Sequence, residues 1–245
     1  MKKHLLALLP IFIISCSQDN PITVKDKGHS ENETIDFKLK IENVSKSDTL
    51  KLSNGKTESI ILSSGTWVIY SKSNPLFING QKNNSSDMEK LAEDGIGFTV
   101  NPKLVDEVSM SGLTQEIKPN SFIEIPFKAK VGDKLSFATM LSQSNDLFYS
   151  TEGIDLFDKD KEPIKGDLTS QVFLWDLGTE VNQELGLGDE QGARQKSPNF
   201  GKTESDNVKK IEDKKDGFNY PKVVDIIKVT LTNEDKHDHK DGDKH

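Results

Sequence analysis

The sequence predicts an all-β protein, built as a two-sheet antiparallel sandwich with one short helix. Three observations support this fold class: apolar and polar residues alternate in several short segments, turn residues separate the segments, and only one segment has helical character. Alternation with a period of two places successive side chains on opposite faces of a strand, so each segment offers an apolar face to a core. Many short strands with one helix favour two packed sheets.

Five segments are typical strands, and the clearest begins at Phe37, where Phe37, Leu39 and Ile41 alternate with charged residues. Pro126 has no backbone N–H to donate to a neighbouring strand, which favours an edge strand or a bulge at this position. The predicted strands lie at residues 37–41, 66–70, 123–131, 135–141 and 227–231.

Turn pairs separate these strands at Asn54-Gly55, Gly132-Asp133 and Asp216-Gly217. The helix is predicted at residues 86–94, "SDMEKLAED". Ser86 and Glu89 have the spacing of a capping box, and Gly95 is placed to end the helix.

The N-terminus is typical of an exported protein. Lys2 and Lys3 precede a short apolar run that is too short to cross a membrane, so residues 1–15 are predicted to be a signal peptide. Cys16 follows "IIS" as in a bacterial lipobox and is the predicted lipidation site. An ordinary secretory signal with a chance cysteine is the alternative. Ser17 favours sorting to the outer membrane, where a lipid on Cys16 would hold the chain through a tether, residues 16–33.

The composition limits the classes of partner that the protein can bind. The formal net charge of the chain is -8 and Arg194 is its one arginine, which argues against nucleic acid, because phosphate binding needs clustered basic residues. With one cysteine the chain forms no internal disulfide. The sandwich is predicted at residues 34–234, and residues 235–245 form a polar tail whose histidines offer weak metal binding at most.

Six contiguous motifs resemble bacterial members of the spondin-domain family, and they run in order over nearly the whole predicted domain. They are "SNPLFINGQ" at 73–81, "LAEDG" at 91–95, "GDKLSFATMLSQSNDLFYS" at 132–150, "GIDLFD" at 153–158, "VFLWDLGTEVNQELGLG" at 172–188 and "SPNFG" at 197–201.

The resemblance implies a sandwich related in shape to C2 domains, one calcium ion in loops at one end, and a role in matrix or cell-surface attachment. By motif position, the implied calcium ligands are Asp146, Asp176 and Glu180. Glu180 departs from the pattern of the animal members of the family, which usually have aspartate there. The resemblance does not identify the extracellular or cell-surface ligand, which would be a protein or a glycan.

Calcium ligation suits these residues, because calcium takes six to eight oxygen ligands and Gly178 lets the chain turn between Asp176 and Glu180. Further oxygens are expected from Asn145 or Asn182 and from carbonyls near Gly178. The alternative is that Asp146 caps a turn and that the other two acids are ordinary solvated loop residues.

Other features near the site have simpler interpretations. Trp175, Phe148 and Tyr149 are expected to pack in the core or at the end of the sandwich. Residues 158–167 begin like an EF-hand loop, but Pro163 occupies the position that needs glycine, so a charged hairpin turn is predicted there.

Three functions are compatible with these features. The first is a calcium-binding module, not an enzyme, held at the cell envelope for adhesion or ligand binding. The second is a hydrolase that uses Asp146 and Asp176 as an acid/base pair; the predicted domain contains no histidine to support it. The third is a passive structural envelope lipoprotein.

Overall fold

A computed structural model describes residues 29–105 and 107–234 of the chain. The predicted signal peptide, Cys16, most of the tether and the tail at 235–245 lie outside the described residues. Within the described ranges, the helices are all too short or too polar to cross a membrane.

Thirteen strands and one α-helix make up the described chain, together with three short 3₁₀ helices at Thr169–Gln171, Ile211–Asp213 and Val223–Asp225. The helix, α1, spans Ser86–Asp94, as the sequence predicts. The strands are β1 Thr34–Asn43, β2 Leu50–Lys51, β3 Thr57–Glu58, β4 Leu62–Tyr70, β5 Val108–Thr114, β6 Phe122–Lys130, β7 Lys134–Leu141, β8 Leu147–Thr151, β9 Ile154–Asp155, β10 Gly166–Asp167, β11 Val172–Asp176, β12 Lys209–Lys210 and β13 Ile227–Glu234.

Two antiparallel sheets carry the architecture. One has four strands in the order β10-β13-β1-β6, and the other has seven, in the order β12-β11-β8-β7-β4-β5 with β9 paired to β7. β2 and β3 form a separate hairpin whose turn contains Gly55 at a φ of 84°. The predicted all-β sandwich is confirmed, and Pro126 lies on β6, which is an edge strand.

The main core lies between the two sheets. β1 contributes Phe37, Leu39 and Ile41, which are 3 %, 0 % and 1 % exposed, while the residues between them face outward. Phe37 stacks on Phe127 of β6 with ring centroids 5.5 Å apart. The alternation visible in the sequence therefore reports a sheet with one buried and one wet face.

The central strands of the seven-stranded sheet are buried on both faces, because α1 and neighbouring loops cover the outer side of β7 and β8. Met88 and Leu91 of α1 pack in one cluster with Phe148 of β8 and Trp175 of β11. All residues of β8 are consequently buried. A strand that is buried on both faces lacks the alternation of polar and apolar residues that makes a half-exposed strand recognisable in a sequence.

The ends of α1 show one correct and one wrong prediction. Gly95 ends the helix in the left-handed region with a φ of 68°. The N-cap is Ser85 instead of Ser86, and its hydroxyl accepts the Met88 N–H at 3.2 Å. The serine pair "SS" offers two candidate caps, and the chain uses the first.

Packing against the sandwich begins before β1. His29, in the predicted tether, is only 4 % exposed, and its ring lies edge-on to Phe157 with centroids 6.3 Å apart. The folded region thus includes a histidine, although the sequence pattern places none in the domain.

Candidate cation site

Strand pairing brings the predicted ligands together. β8 and β11 are antiparallel neighbours, and Leu147, the first residue of β8, is paired with Asp176, the last residue of β11. Asp146, just before β8, therefore lies beside Asp176 although thirty positions separate them. Gly178, at a φ of 77°, turns the chain after β11 and leads it to Glu180.

Asp146 is fully buried and holds the loop after β11. Its Oδ2 accepts the backbone N–H of Thr179 at 2.8 Å and that of Glu180 at 3.1 Å, and the Thr179 hydroxyl lies 3.3 Å away. Its Oδ1 is buried and has no hydrogen-bond partner among the described residues. Oδ2 of Asp146 therefore holds the turn, which is one of the two predicted roles. Oδ1 is the oxygen that the other prediction, cation binding, concerns.

Asp176 and Glu180 repeat this division. Oδ2 of Asp176 accepts from Asn182 Nδ2 at 2.7 Å and lies 3.0 Å from Lys214 Nζ. Oε1 of Glu180 accepts the Gly201 N–H at 2.8 Å, and a Cβ at Gly201 would collide with this carboxylate. Asp176 Oδ1 and Glu180 Oε2 are buried and unpartnered within the described part of the chain.

A fourth acid belongs to the same neighbourhood. Glu93, in the last turn of α1, is 2 % exposed, and its Oε2 is buried with no partner among the described residues. Its charge interacts with Glu180, and its side chain interacts with Thr179. We call Asp146, Asp176, Glu180 and Glu93 the acid cluster.

Burial dominates the electrostatics of the acid cluster. It raises the pKa of Asp146 to about 7, and the charge of Asp176 acts in the same direction. It also raises the pKa of Glu180 and of Glu93 to about 7. Burial raises the pKa of Asp176 as well, against the opposing attraction of Lys214. The cluster therefore resists carrying its full negative charge without a counter-ion.

The donor set fits a hard cation by its chemistry. Each of the three predicted ligands has one buried carboxylate oxygen that the described protein leaves without a hydrogen bond, and such oxygens are costly unless something satisfies them. The arrangement is looser than a finished site, because in residues 29–105 and 107–234 no three His, Cys, Asp or Glu side chains are grouped closely enough to hold a metal ion. Binding an ion therefore requires the carboxylates to draw closer together.

The other predicted oxygen donors already have partners. Asn145 Oδ1 accepts the Gln183 N–H at 3.0 Å, and the Gly178 carbonyl accepts the Asp206 N–H at 2.9 Å. Asn182 faces Asp176 with its Nδ2 group, which donates to the carboxylate. These groups shape the loops around the acid cluster in this structure.

The aromatic residues beside the site are core residues. Trp175, Phe148 and Tyr149 are each 0 % exposed, which confirms that they pack inside the protein. Trp175 Nε1 donates to the Ser150 carbonyl at 3.2 Å. Phe148 and Trp175 belong to the cluster packed against α1, and Tyr149 belongs to the core between the two sheets.

Residues 158–162, which we call the acidic turn, contain no comparable site. Asp158 is exposed, and its Oδ1 accepts the N–H groups of Asp160 at 2.8 Å and of Glu162 at 2.9 Å. A bridge between Phe157 and Pro163 closes the turn. The predicted charged hairpin turn is confirmed at residues 158–162, whereas Gly166–Asp167, at the end of the predicted range, form strand β10.

Glu93 and Lys214 are the site residues that sequence reasoning missed. Both lie far along the chain from the motifs around Asp146 and Asp176, and no local pattern links them. The available signal at Glu93 is its position next to Leu91 and Ala92, on the border of the buried face of α1. Lys214 lies in a lysine-rich polar stretch that is typical of a solvated loop.

The chain was also compared with known proteins. A scan against protein-family models matches none of them, and a search of curated proteins finds no match. The resemblance to spondin domains stays a prediction that depends on the quoted motifs.

Proposed function

We propose that this protein is a calcium-binding β-sandwich module without catalytic activity, presented at the cell envelope for adhesion or for binding an extracellular protein or glycan. The observation that carries the calcium part is the set of three buried, unpartnered oxygens, one on each of Asp146, Asp176 and Glu180. Calcium prefers carboxylate oxygens, and burial of the site limits competition from water.

The charge balance supports a cation. Four buried carboxylates lie in one neighbourhood, where each repels at least one of the others, and Lys214 supplies one positive charge against Asp176. A divalent ion would neutralise two further charges and satisfy oxygens that the protein leaves unpaired. Oxygen-only donors favour calcium over zinc, which prefers histidine and cysteine ligands.

The calcium proposal is tested by thermal unfolding of the protein in EDTA and then in millimolar calcium. Wild type is expected to gain about 2.7 kcal/mol at a calcium concentration one hundred times Kd, a rise in Tm of about 5–10 °C. Asp176→Asn removes one ligand charge and is expected to lose most of this rise. Asp158→Asn, in the acidic turn, is the matched control and is expected to keep it.

An equal rise in wild type and Asp176→Asn would place the ion elsewhere. The absence of any rise in wild type would remove the calcium proposal. A calcium-dependent difference in binding to immobilised extracellular proteins and glycans then tests the attachment role, with Asp176→Asn as the negative control.

The envelope location rests on the sequence around Cys16. We propose that the chain is exported and lipidated there, with the outer membrane as its destination. Metabolic labelling with a fatty acid is expected to label wild type and to leave Cys16→Ser unlabelled. Equal labelling of both proteins would contradict the lipid anchor.

A further inference from the structure

Lys214 is the cation that pairs with the acid cluster. Its Nζ lies 3.0 Å from Asp176 Oδ2 and also contacts Glu204 Oε1. The side chain of Lys214 is 13 % exposed, and that of Asp176 is fully buried. A lysine this enclosed is held by its partners, because an ammonium group is strongly hydrated when it is free.

The influence of Lys214 extends beyond its direct partner. Its positive charge opposes the rise in the pKa of Asp176 and also that of Asp146. Hydrogen bonding to Glu204 and Asp176 outweighs burial and raises the pKa of Lys214 itself. The ammonium thus acts on two of the three predicted calcium ligands.

A metal ion and this ammonium compete for the same carboxylate. Asp176 Oδ2 is used by Lys214 and Asn182, and Oδ1 is the free oxygen. An ion on Oδ1 would sit within a few ångströms of the ammonium group, where like charges repel strongly in a poorly solvated site. Binding is therefore easier when the ammonium moves away.

A cavity beside Lys214 can accommodate its side chain when the ammonium group leaves Asp176. Lys214 follows the short helix Ile211–Asp213 and lines this cavity of about 480 Å³ together with Phe218 and Tyr220. Glu204 is a second carboxylate partner of Lys214, so the ammonium group can keep one ion pair after Asp176 is released. The movement needs rotation of a side chain and no change in the sheet.

We propose that Lys214 is the resident cation of the acid cluster and that calcium binds by displacing its ammonium group from Asp176. This inference rests on the proposed calcium binding. Lys214 then sets the calcium affinity of the site, because each binding event must break the Lys214–Asp176 ion pair. In the metal-free protein the same pair stabilises the fold.

The test compares Lys214→Met with Lys209→Met by calorimetric titration of calcium chloride and by thermal unfolding in EDTA. Lys209 is the matched control, because it lies opposite Asp176 on β12 while its Nζ forms a partly exposed ion pair with Asp206 Oδ2, at 2.5 Å, instead of with an acid-cluster carboxylate. Lys214→Met is expected to bind calcium at least about tenfold more tightly than wild type and to unfold at a lower temperature without metal. Lys209→Met is expected to match wild type in calcium affinity.

The outcomes separate the two proposals. If wild type binds calcium and Lys214→Met binds it no more tightly, the lysine inference is overturned and the calcium proposal stands. If Lys214→Met binds calcium and wild type does not, Lys214 blocks the site in the natural chain, and both the calcium proposal and displacement of the ammonium by calcium are overturned. If no variant binds, both fail. Should the methionine variant not fold, Lys214→Gln keeps a hydrogen-bond donor without the charge and carries the same expectation.

Discussion

The acid cluster and the acidic turn are both rich in carboxylates, and the sequence makes both resemble calcium sites. They differ in how their oxygens are satisfied. In the acidic turn, Asp158 is exposed and donors from its own turn reach its Oδ1. In the acid cluster, four side chains from distant parts of the chain each bury an oxygen that has no described partner. A candidate cation site is distinguished by buried carboxylate oxygens that lack hydrogen-bond partners, more than by an acidic composition.

The largest expected loss of stability follows from removing the Asp146 carboxylate. Asp146→Ala removes the acceptor for two backbone N–H groups, of Thr179 and Glu180, and leaves them in a buried loop. The free energy of unfolding is expected to fall by about 2–4 kcal/mol, measured by urea denaturation. A loss no greater than that of Asp158→Ala would mean that the loop after β11 does not depend on this carboxylate.

The pH dependence of the metal-free protein is the next effect. A carboxyl whose pKa is raised on folding binds its proton more tightly in the folded state, so its stabilising contribution is present at low pH and is lost as pH rises. The pKa of Glu180 and of Glu93 is raised from 4.5 to about 7. In EDTA the free energy of unfolding is expected to fall by about 1–3 kcal/mol between pH 5 and pH 8.

Calcium should reverse this trend, because it favours the ionised carboxylates. Denaturation at pH 5, 6, 7 and 8, with and without calcium, measures both slopes. A metal-free stability that rises over this range would show that the buried acids are already balanced in the folded protein.

Glu93→Gln tests whether the charge of Glu93, the acid that the sequence did not indicate, destabilises the metal-free acid cluster. The variant removes one buried negative charge near Glu180 and keeps the shape of the side chain. At pH 8 without metal it is expected to be about 1 kcal/mol more stable than wild type. At pH 5, where Glu93 is protonated, the difference should disappear. A gain of equal size at both pH values would indicate a packing effect instead of an electrostatic one.

The smallest effect belongs to the acidic turn. Asp158→Ala loses two exposed hydrogen bonds and is expected to cost about 0.5–1 kcal/mol. Asp158→Asn retains an acceptor and should cost less. Neither variant should change the calcium response. A calcium response lost in Asp158→Asn would move the candidate site to the acidic turn.

The sequence predicts strands most clearly where one face is wet, although β4 and β7 were also predicted and are almost wholly buried. β1 and β13 alternate clearly because the outer side of their sheet faces solvent, and α1 is marked by its termination at Gly95. β8 and β11 could not be recognised in this way. Both lie under α1 and neighbouring loops, so their exposed polar positions disappear.

The candidate site is predictable to the same limited degree. Asp146, Asp176 and Glu180 were selected through motifs, and strand pairing explains why they meet. Glu93 and Lys214 reach the cluster through tertiary packing, since α1 and the segment after β12 lie against the same end of the sheet. Nothing in the local sequence specifies those contacts, and they decide the charge balance of the site.

The pairing of β1 has a consequence for where the acid cluster lies in the sandwich. Thr34 lies opposite Lys130, and Asp36 opposite Glu234, so both ends of the described sandwich leave from one pole. The far end of β1, at Asn43, donates to the Ile60 carbonyl, near where β4 pairs with Leu141 and the chain continues toward Asp146. Ten residues of β1 span about 33 Å. The acid cluster therefore lies at the end of the sandwich opposite to the one where the chain enters β1, about one strand length from Thr34.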